Sequence, residues 1–324
     1  MKTRRGVTLL EVLFAIGIAS IGILGVMATM LIAGKHAADG ARFDAADRVG
    51  RNAVRDFHIR GFNRATGQQG TWAAVPVNGQ AYCLDPVYVA ENGTATPACW
   101  FPAFDPAIVP GPRMPRISIR AMPGDQSVAP LPPIGAEFAD SIFVARDDLI
   151  FMEPTDKTLP PVQHFGSATE ARSSTGALSW FATVESNDYS HGSGIANIVV
   201  CHRRDLLTTD AERLCNVVEI DASEFKLAAR PGQPDSDLDV RDDEWLLLCG
   251  VLLNGRTMFR WRRVTSTTDV LPAGQPDYDN TVLPVPSRRV SAAGRDWMIP
   301  AANTQVALFG AVVAVYERPV KMEE

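Results

Sequence analysis

Met1-Lys2-Thr3-Arg4-Arg5-Gly6-Val7-Thr8-Leu9-Leu10-Glu11-Val12-Leu13-Phe14-Ala15-Ile16 opens the chain and sets its architecture. Lys2, Arg4 and Arg5 make the first six residues basic, with no acid among them. From Val12 to Ala33 no residue is charged. At about 1.5 Å per helical residue, such a run covers roughly 33 Å, the hydrocarbon thickness of a bilayer. Lys35 and His36 come directly after it. Basic residues ahead of the span keep a short N-terminus cytoplasmic and send the rest of the chain across the membrane. A cleaved secretory signal places a short apolar region before a small-residue site; here the apolar run is too long for that, and a glycine, Gly6, sits before it instead. The twin arginine Arg4-Arg5 lacks the flanks of a twin-arginine signal. Glu11 lies just inside the apolar run, where a carboxylate costs several kcal/mol unless neutral or paired, so it is a functional candidate.

The helical pattern does not stop at the membrane. Residues 35–60 contain no proline. Ala38, Ala41, Ala45, Val49, Ala53 and Phe57 recur every three or four residues, one apolar stripe on an otherwise polar helix. Asp44–Arg48 and Asp47–Arg51 are spaced i,i+4 with the acid first, the better orientation. Gly61 supplies a stop. One helix from Val7 to Arg60 measures about 80 Å, too long for a compact domain's own helix. The stripe is too short and too rich in alanine for a coiled-coil stalk. Gly17, Gly22 and Gly25 either permit close packing of neighbouring helices or are simply tolerated in the span.

Beyond residue 61 the pattern changes. Residues 62–135 are rich in Pro, Gly, Asn and Ala and read as loop with short strands. Strands are expected at Ser141–Ala145, Leu178–Val184, Ile195–Cys201, Asn216–Ile220, Trp245–Leu253, Thr257–Val264 and Val306–Tyr316. Asn254-Gly255 between two of them is a hairpin signal. One short helix is expected around Thr208–Leu214. The fold class is therefore α+β: a long N-terminal spine helix packed on a mainly antiparallel β-sheet body. The organisation is then a short basic segment, 1–6; a membrane half of the long helix, 7–33; an amphipathic half, 34–61; and an extracytoplasmic body, 62–324.

The chain has 324 residues with 46% hydrophobic and 21% charged, an ordinary globular composition. A net charge of −6 argues against a general nucleic-acid binder. Five cysteines, Cys83, Cys99, Cys201, Cys215 and Cys249, form no CxxC pair, which weakens zinc and thioredoxin readings. An exported body permits disulfides. Cys83–Cys99 and Cys201–Cys215 are the simplest local pairs, with Cys249 in a buried strand; five free thiols are the alternative. No nucleophile elbow or phosphate-binding loop occurs: Gly192-Ser193-Gly194 lacks the spacing, and His191 beside it has no acid–base partner. Catalysis is not expected, nor is any cofactor or metal. In Asp235-Ser-Asp237-Leu-Asp239, Val240 replaces the glycine of a calcium loop and Leu246 its final glutamate, so a solvated loop is expected.

The N-terminal pattern resembles the signal of type IV prepilins and pseudopilins: a basic leader, Gly6, a hydrophobic Val7, then Thr8-Leu9-Leu10-Glu11 and about twenty apolar residues. The resemblance covers residues 1–60. It implies that a prepilin peptidase cuts between Gly6 and Val7, and that Val7 becomes an N-methylated terminus. It implies too that Glu11 pairs with the terminal amine of a neighbouring subunit. Val7 departs from the phenylalanine common at this place, and no helix-breaking proline interrupts the run. Phe14-Ala-Ile-Gly17 and Ser20-Ile-Gly22-Ile-Leu-Gly25, with a body larger than that of a typical major pilin, are similar to minor pilins of the PilV/PilW type. The implied partners are the prepilin peptidase, other pilin or pseudopilin subunits, an inner-membrane assembly platform and the lipid bilayer, with no nucleic acid. A type II secretion pseudopilin and a signal-anchored periplasmic enzyme are the alternatives.

Overall fold

The architecture is seen in a computed structural model, which describes residues 9–63, 81–93, 100–103, 111–119, 134–145, 149–151, 172–174, 177–188, 193–205, 212–221, 223–231, 234–277 and 279–321. Two compact units result, Met1–Ala45 and Ala46–Glu324. Helix α1, Leu9–Ile59, supplies the first unit and opens the second. In the first unit its apolar side chains, Leu9 to Ile32, are exposed. From Ala46 the same helix turns a stripe inward: Ala46, Val49, Gly50, Ala53 and Phe57 are buried. Three of these, Val49, Ala53 and Phe57, are the stripe read from the sequence. The helix stops where Gly61 takes a left-handed φ of 65° and the Phe62 amide donates back to the Phe57 carbonyl at 3.1 Å.

The second unit is layered. A six-stranded sheet runs β14-β7-β6-β1-β3-β2, comprising β1 Tyr82–Leu84, β2 Trp100–Phe101, β3 Met114–Ile117, β6 Leu178–Asp188, β7 Ser193–His202 and β14 Val312–Lys321. It is mixed, because β1 pairs with β3 in parallel. A closed barrel runs β10-β11-β12-β9-β8-β13, from β8 Glu212–Asp221, β9 Glu224–Ala228, β10 Trp245–Val251, β11 Thr257–Thr267, β12 Ser287–Ala293 and β13 Thr304–Phe309. Bulges at Val264/Ser266 and Val217/Glu219 bend the sheet toward closure. A separate hairpin joins β4, Leu149–Phe151, to β5, Arg172–Ser174.

Strand alternation explains why the mixed sheet is buried on both faces. On β6, the Trp180 ring lies tilted against Phe143 with centroids 4.3 Å apart, and Phe143 in turn stacks on Phe62 of the helix end. The next residue, Phe181, points the other way, into a core shared with Leu247, Phe259, Trp261 and Phe309 of the barrel. Thr183, on that same face, accepts from the Trp261 indole at 3.0 Å. The order within this unit is therefore helix, mixed sheet, barrel. A second core of Cys215, Phe225, Leu227, Leu246, Leu248, Val290 and Leu308 fills the barrel.

Several expectations are corrected. Ser141–Ala145 is not a strand: Ser141 to Phe143 end helix α3, Ala136–Phe143, because Ala139, Ile142 and Phe143 share one buried face at helical spacing. Val306–Tyr316 is two strands in different sheets, broken by a turn at Gly310 and Ala311. The helix around Thr208–Leu214 fails over its last part, where Glu212–Leu214 begin β8; residues 208–211 lie outside the described residues. The 62–135 region contains a helix the composition hid, α2, Pro86–Asn92, with its proline in the first turn. The body adds a barrel and one parallel strand pair to the antiparallel sheet expected. The Asn254-Gly255 hairpin is present, with Gly255 at φ 80° between β10 and β11.

Candidate assembly site

Two parts of α1 carry the candidate chemistry. The first is its apolar beginning. Gly6, Val7 and Thr8 lie outside the described residues; Leu9, Leu10 and Glu11 form the first turn of the helix. The stretch is long and apolar enough to cross a membrane, with a mean hydropathy of 2.4, and none of that window is buried. Its two exposed hydroxyls are satisfied inside the helix: Ser20 Oγ donates to the Ile16 carbonyl at 2.8 Å and Thr29 Oγ1 to that of Val26 at 2.9 Å. Back-bonding of this kind lets Ser and Thr sit in lipid or in a helix bundle without an orphan donor. A Cβ added at Gly17, Gly22 or Gly25 would meet nothing within 4 Å.

The second part is the lock between α1 and the body. Gly50 lets the Tyr316 ring of β14 lie against the helix, and a Cβ there would fall 2.0 Å from its Cε2. The Tyr316 hydroxyl reaches Asp47 Oδ1 at 3.2 Å, and Asp47 also pairs with Arg51. Burial first, then the Asp47 charge, pushes the Tyr316 hydroxyl up to about 12. Past the helix end, Tyr82 donates to the Phe62 carbonyl at 3.0 Å, and Asn63 donates to the Lys321 carbonyl at 2.5 Å. Both ends of the buried helical segment are thus tied to the mixed sheet.

A buried ionic cluster holds the mixed sheet to the barrel. Arg204, just after β7, grips Asp85 with two bonds of 3.0 and 2.6 Å. Arg116 of β3 donates to both oxygens of Glu212 on β8, at 2.6 and 2.8 Å. The second oxygen of Glu212 also takes the Ala103 amide at 2.7 Å. Tyr88 caps the cluster, with the Arg116 guanidinium 3.8 Å from its ring centroid. Burial pushes the Asp85 carboxyl up, but Arg204 and Arg116 outweigh it and hold it below the usual range. All four charges are almost wholly shielded. Removing one partner of such a set typically costs about 3–5 kcal/mol. Nothing in the sequence announces this cluster, since its members lie as far apart as residues 85 and 212.

The cysteine pairings are not formed among the described residues. Cys83, Cys201, Cys215 and Cys249 are free, buried thiols, and Cys99 lies outside the described residues. Cys201 faces the inter-sheet core and Cys215 the barrel interior, so close sequence spacing put them on different layers. Burial pushes both thiols up to about 12, which leaves them poor nucleophiles. In the acidic stretch, Asp235–Leu238 form one 3-10 turn, and the carbonyls of Ser236 and Asp239 accept from Arg213 at 2.9 and 2.8 Å. Leu238 and Val240 anchor that stretch in the barrel core.

With this geometry in place, comparison with known proteins bears on the first part. Residues 1–27 match the prokaryotic N-terminal methylation motif. The match contains Gly6, Val7, Thr8, Leu9, Leu10 and Glu11 and the apolar run to Met27. The methylation motif is a type IV pilin-like prepilin signal, and it implies processing by a prepilin peptidase and assembly with other pilin-type subunits. With the apolar helix it fits membrane anchoring. No curated protein and no solved structure matches the chain.

Proposed function

We propose that the chain is a minor pilin, a structural subunit of a type IV pilus. A prepilin peptidase removes residues 1–6, and the processed chain waits in the inner membrane, single-pass, with its body outside. An assembly platform then draws it into a filament, where Val7–Ala33 pack in the core. Its role is structural and it catalyses nothing itself. The methylation motif at residues 1–27, on a helix that continues into the body at Ala46, carries this reading. Glu11 serves assembly: a charge-assisted pair with a neighbour's terminal amine, in a low dielectric, favours one register over others. The size of the body beyond residue 61 supports a minor position.

The test is the intact mass and N-terminal sequence of the full chain, expressed with and without a prepilin peptidase. Loss of residues 1–6 only with the peptidase is the expected result. An uncut chain, or one cut after Ala33, would move the reading to an anchored or secreted enzyme. Deletion of the gene should reduce surface pili; a strain that keeps its pili and loses protein secretion would instead mark a type II secretion pseudopilin.

A further inference from the structure

Lys226 of β9 stands out among the charged residues of the barrel. Its neighbours Phe225 and Leu227 point into the barrel core, so Lys226 between them points outward. Across the strands it faces Glu219 on β8 and Arg289 on β12. An outward lysine ordinarily keeps its ammonium in water. Lys226 is instead only 1% exposed, because the segment between β11 and β12 folds back over it. That segment carries a small turn. Pro276 bridges to Val282, the Asp277 amide donates to the Thr281 carbonyl at 3.1 Å, and the Asn280 amide donates to the Asp277 carbonyl at 2.8 Å. The turn holds the buried side chain of Asp277 against Lys226.

The contact is close but misdirected. Lys226 Nζ lies 2.9 Å from Asp277 Oδ2, yet it makes no hydrogen bond to that oxygen or to any other atom of the described residues. Other buried cations are held by directed bonds: Arg116 by Glu212, Arg204 by Asp85, Arg262 by the Ala292 carbonyl and Arg289 by Asp277. An ammonium has three donors, and burying it with none of them satisfied is costly. Attraction to Asp277 offsets only part of that cost, since Arg289 Nε shares the same oxygen at 3.0 Å. A neutral amide at this place has one donor and no charge to desolvate.

We propose that Lys226 and Asp277 condense to an intramolecular amide. Nζ adds to Cγ of Asp277, one Cγ–O bond breaks, and the oxygen leaves as water with two protons from the ammonium. One ammonium and one carboxylate thus become one amide and one water, with no oxidant and no co-reactant. The fold supplies proximity, which replaces a bimolecular encounter. Arg289 Nε, already on Oδ2, meets the negative charge that develops there as Nζ adds. Glu219 and Glu224, paired to Arg289 at 3.0 and 3.3 Å, are the carboxylates placed to pass protons from Nζ to the departing oxygen. The bond encloses β10 and β11 in a covalent loop, and it restricts the unfolded chain as a disulfide does. No described cysteine forms such a tie, and an amide also withstands reduction.

Intact mass tests the bond. The full chain is expressed without a prepilin peptidase, so that its N-terminus stays unaltered, and is purified in detergent and reduced. A cooperative loss of near-UV circular dichroism on denaturation shows that it is folded. It should then weigh less than its sequence by one water. Proteolysis should yield one branched peptide joining Lys226 to Asp277. Lys226→Arg and Asp277→Ala should each restore the full mass for their sequence and remove the branched peptide. A folded chain at its full sequence mass would overturn the proposal. So would a missing water that maps to a single unbranched peptide, the mark of a cyclised aspartate. The branched peptide is read on the unaltered chain, so a variant that fails to fold does not blunt the test. Because the chain is weighed unprocessed, the outcome is independent of the pilin reading.

Discussion

The two stretches of α1 are one helix by hydrogen bonding and two different objects by environment. Leu9 to Ile32 leave every large apolar side chain exposed, whereas Ala46 to Phe57 bury a stripe built largely of small residues. Hydrophobicity alone would rank them in the reverse order of burial. The difference lies in the partner each requires. The first stretch is apolar all round, which suits lipid or a bundle of like helices. The second is apolar on one side only, which suits a single sheet, and alanine and glycine let that sheet come close.

The sharpest way to break this comparison is at Glu11. Glu11→Ala should leave membrane insertion intact and reduce recovery in sheared filaments by an order of magnitude or more, measured by immunoblot of membrane and filament fractions. Normal recovery would remove the carboxylate from any assembly role. Next comes burial in the second stretch. Phe57 is 1% exposed and its neighbour Ile59 is 70% exposed. Phe57→Ala should cost about 3–5 kcal/mol and Ile59→Ala no more than about 0.5 kcal/mol in chemical denaturation of the folded chain. Equal costs would show that the inward stripe has been misplaced.

A smaller effect is expected at the helix–sheet lock. Gly50→Ala drives a methyl into the Tyr316 ring and should destabilise the body by about 1–3 kcal/mol. Adding Tyr316→Ala should make the glycine change nearly harmless, since nothing would then be struck. Additive costs in that double variant would point to helix geometry instead. The smallest effect is in pH. Tyr316 has its hydroxyl raised to about 12, by burial first and then by Asp47. Raised in the fold above the ordinary tyrosine value near 10, it favours the protonated, folded form at lower pH. Its contribution is complete below about pH 10 and is lost as pH climbs through about 12. Burial also raises Tyr88, so spectrophotometric titration should show a late component that loses one tyrosine in Tyr316→Phe.

Some elements were legible because their cause is local. The uncharged run from Val12 to Ala33, the three-to-four spacing through Phe57 and the stop at Gly61 each depend on residues within a turn or two of one another. The same holds for the Asn254-Gly255 hairpin. Elements failed where a local pattern was ambiguous. Ser141–Ala145 contains Ile, Phe and Val in a row, as a buried strand would, yet those residues also complete a helical face begun at Ala139. Val306–Tyr316 is apolar almost throughout, and composition does not say that Gly310 and Ala311 hand the chain from one sheet to another.

Residue type and short-range spacing were enough to establish the N-terminal signal, the membrane-length apolar run, the continuation of the helix and the β-rich character of the body. Packing in three dimensions was needed for the rest. It closes six strands into a barrel, turns Cys201 and Cys215 toward different cores, and brings Arg204, Asp85, Arg116 and Glu212 into one shielded cluster. It also sets Tyr316 against Gly50. These features depend on which strands pair and on the register between residues far apart in the chain. Long-range pairing of that kind is governed by the total burial of both sheets, which no single window of sequence contains.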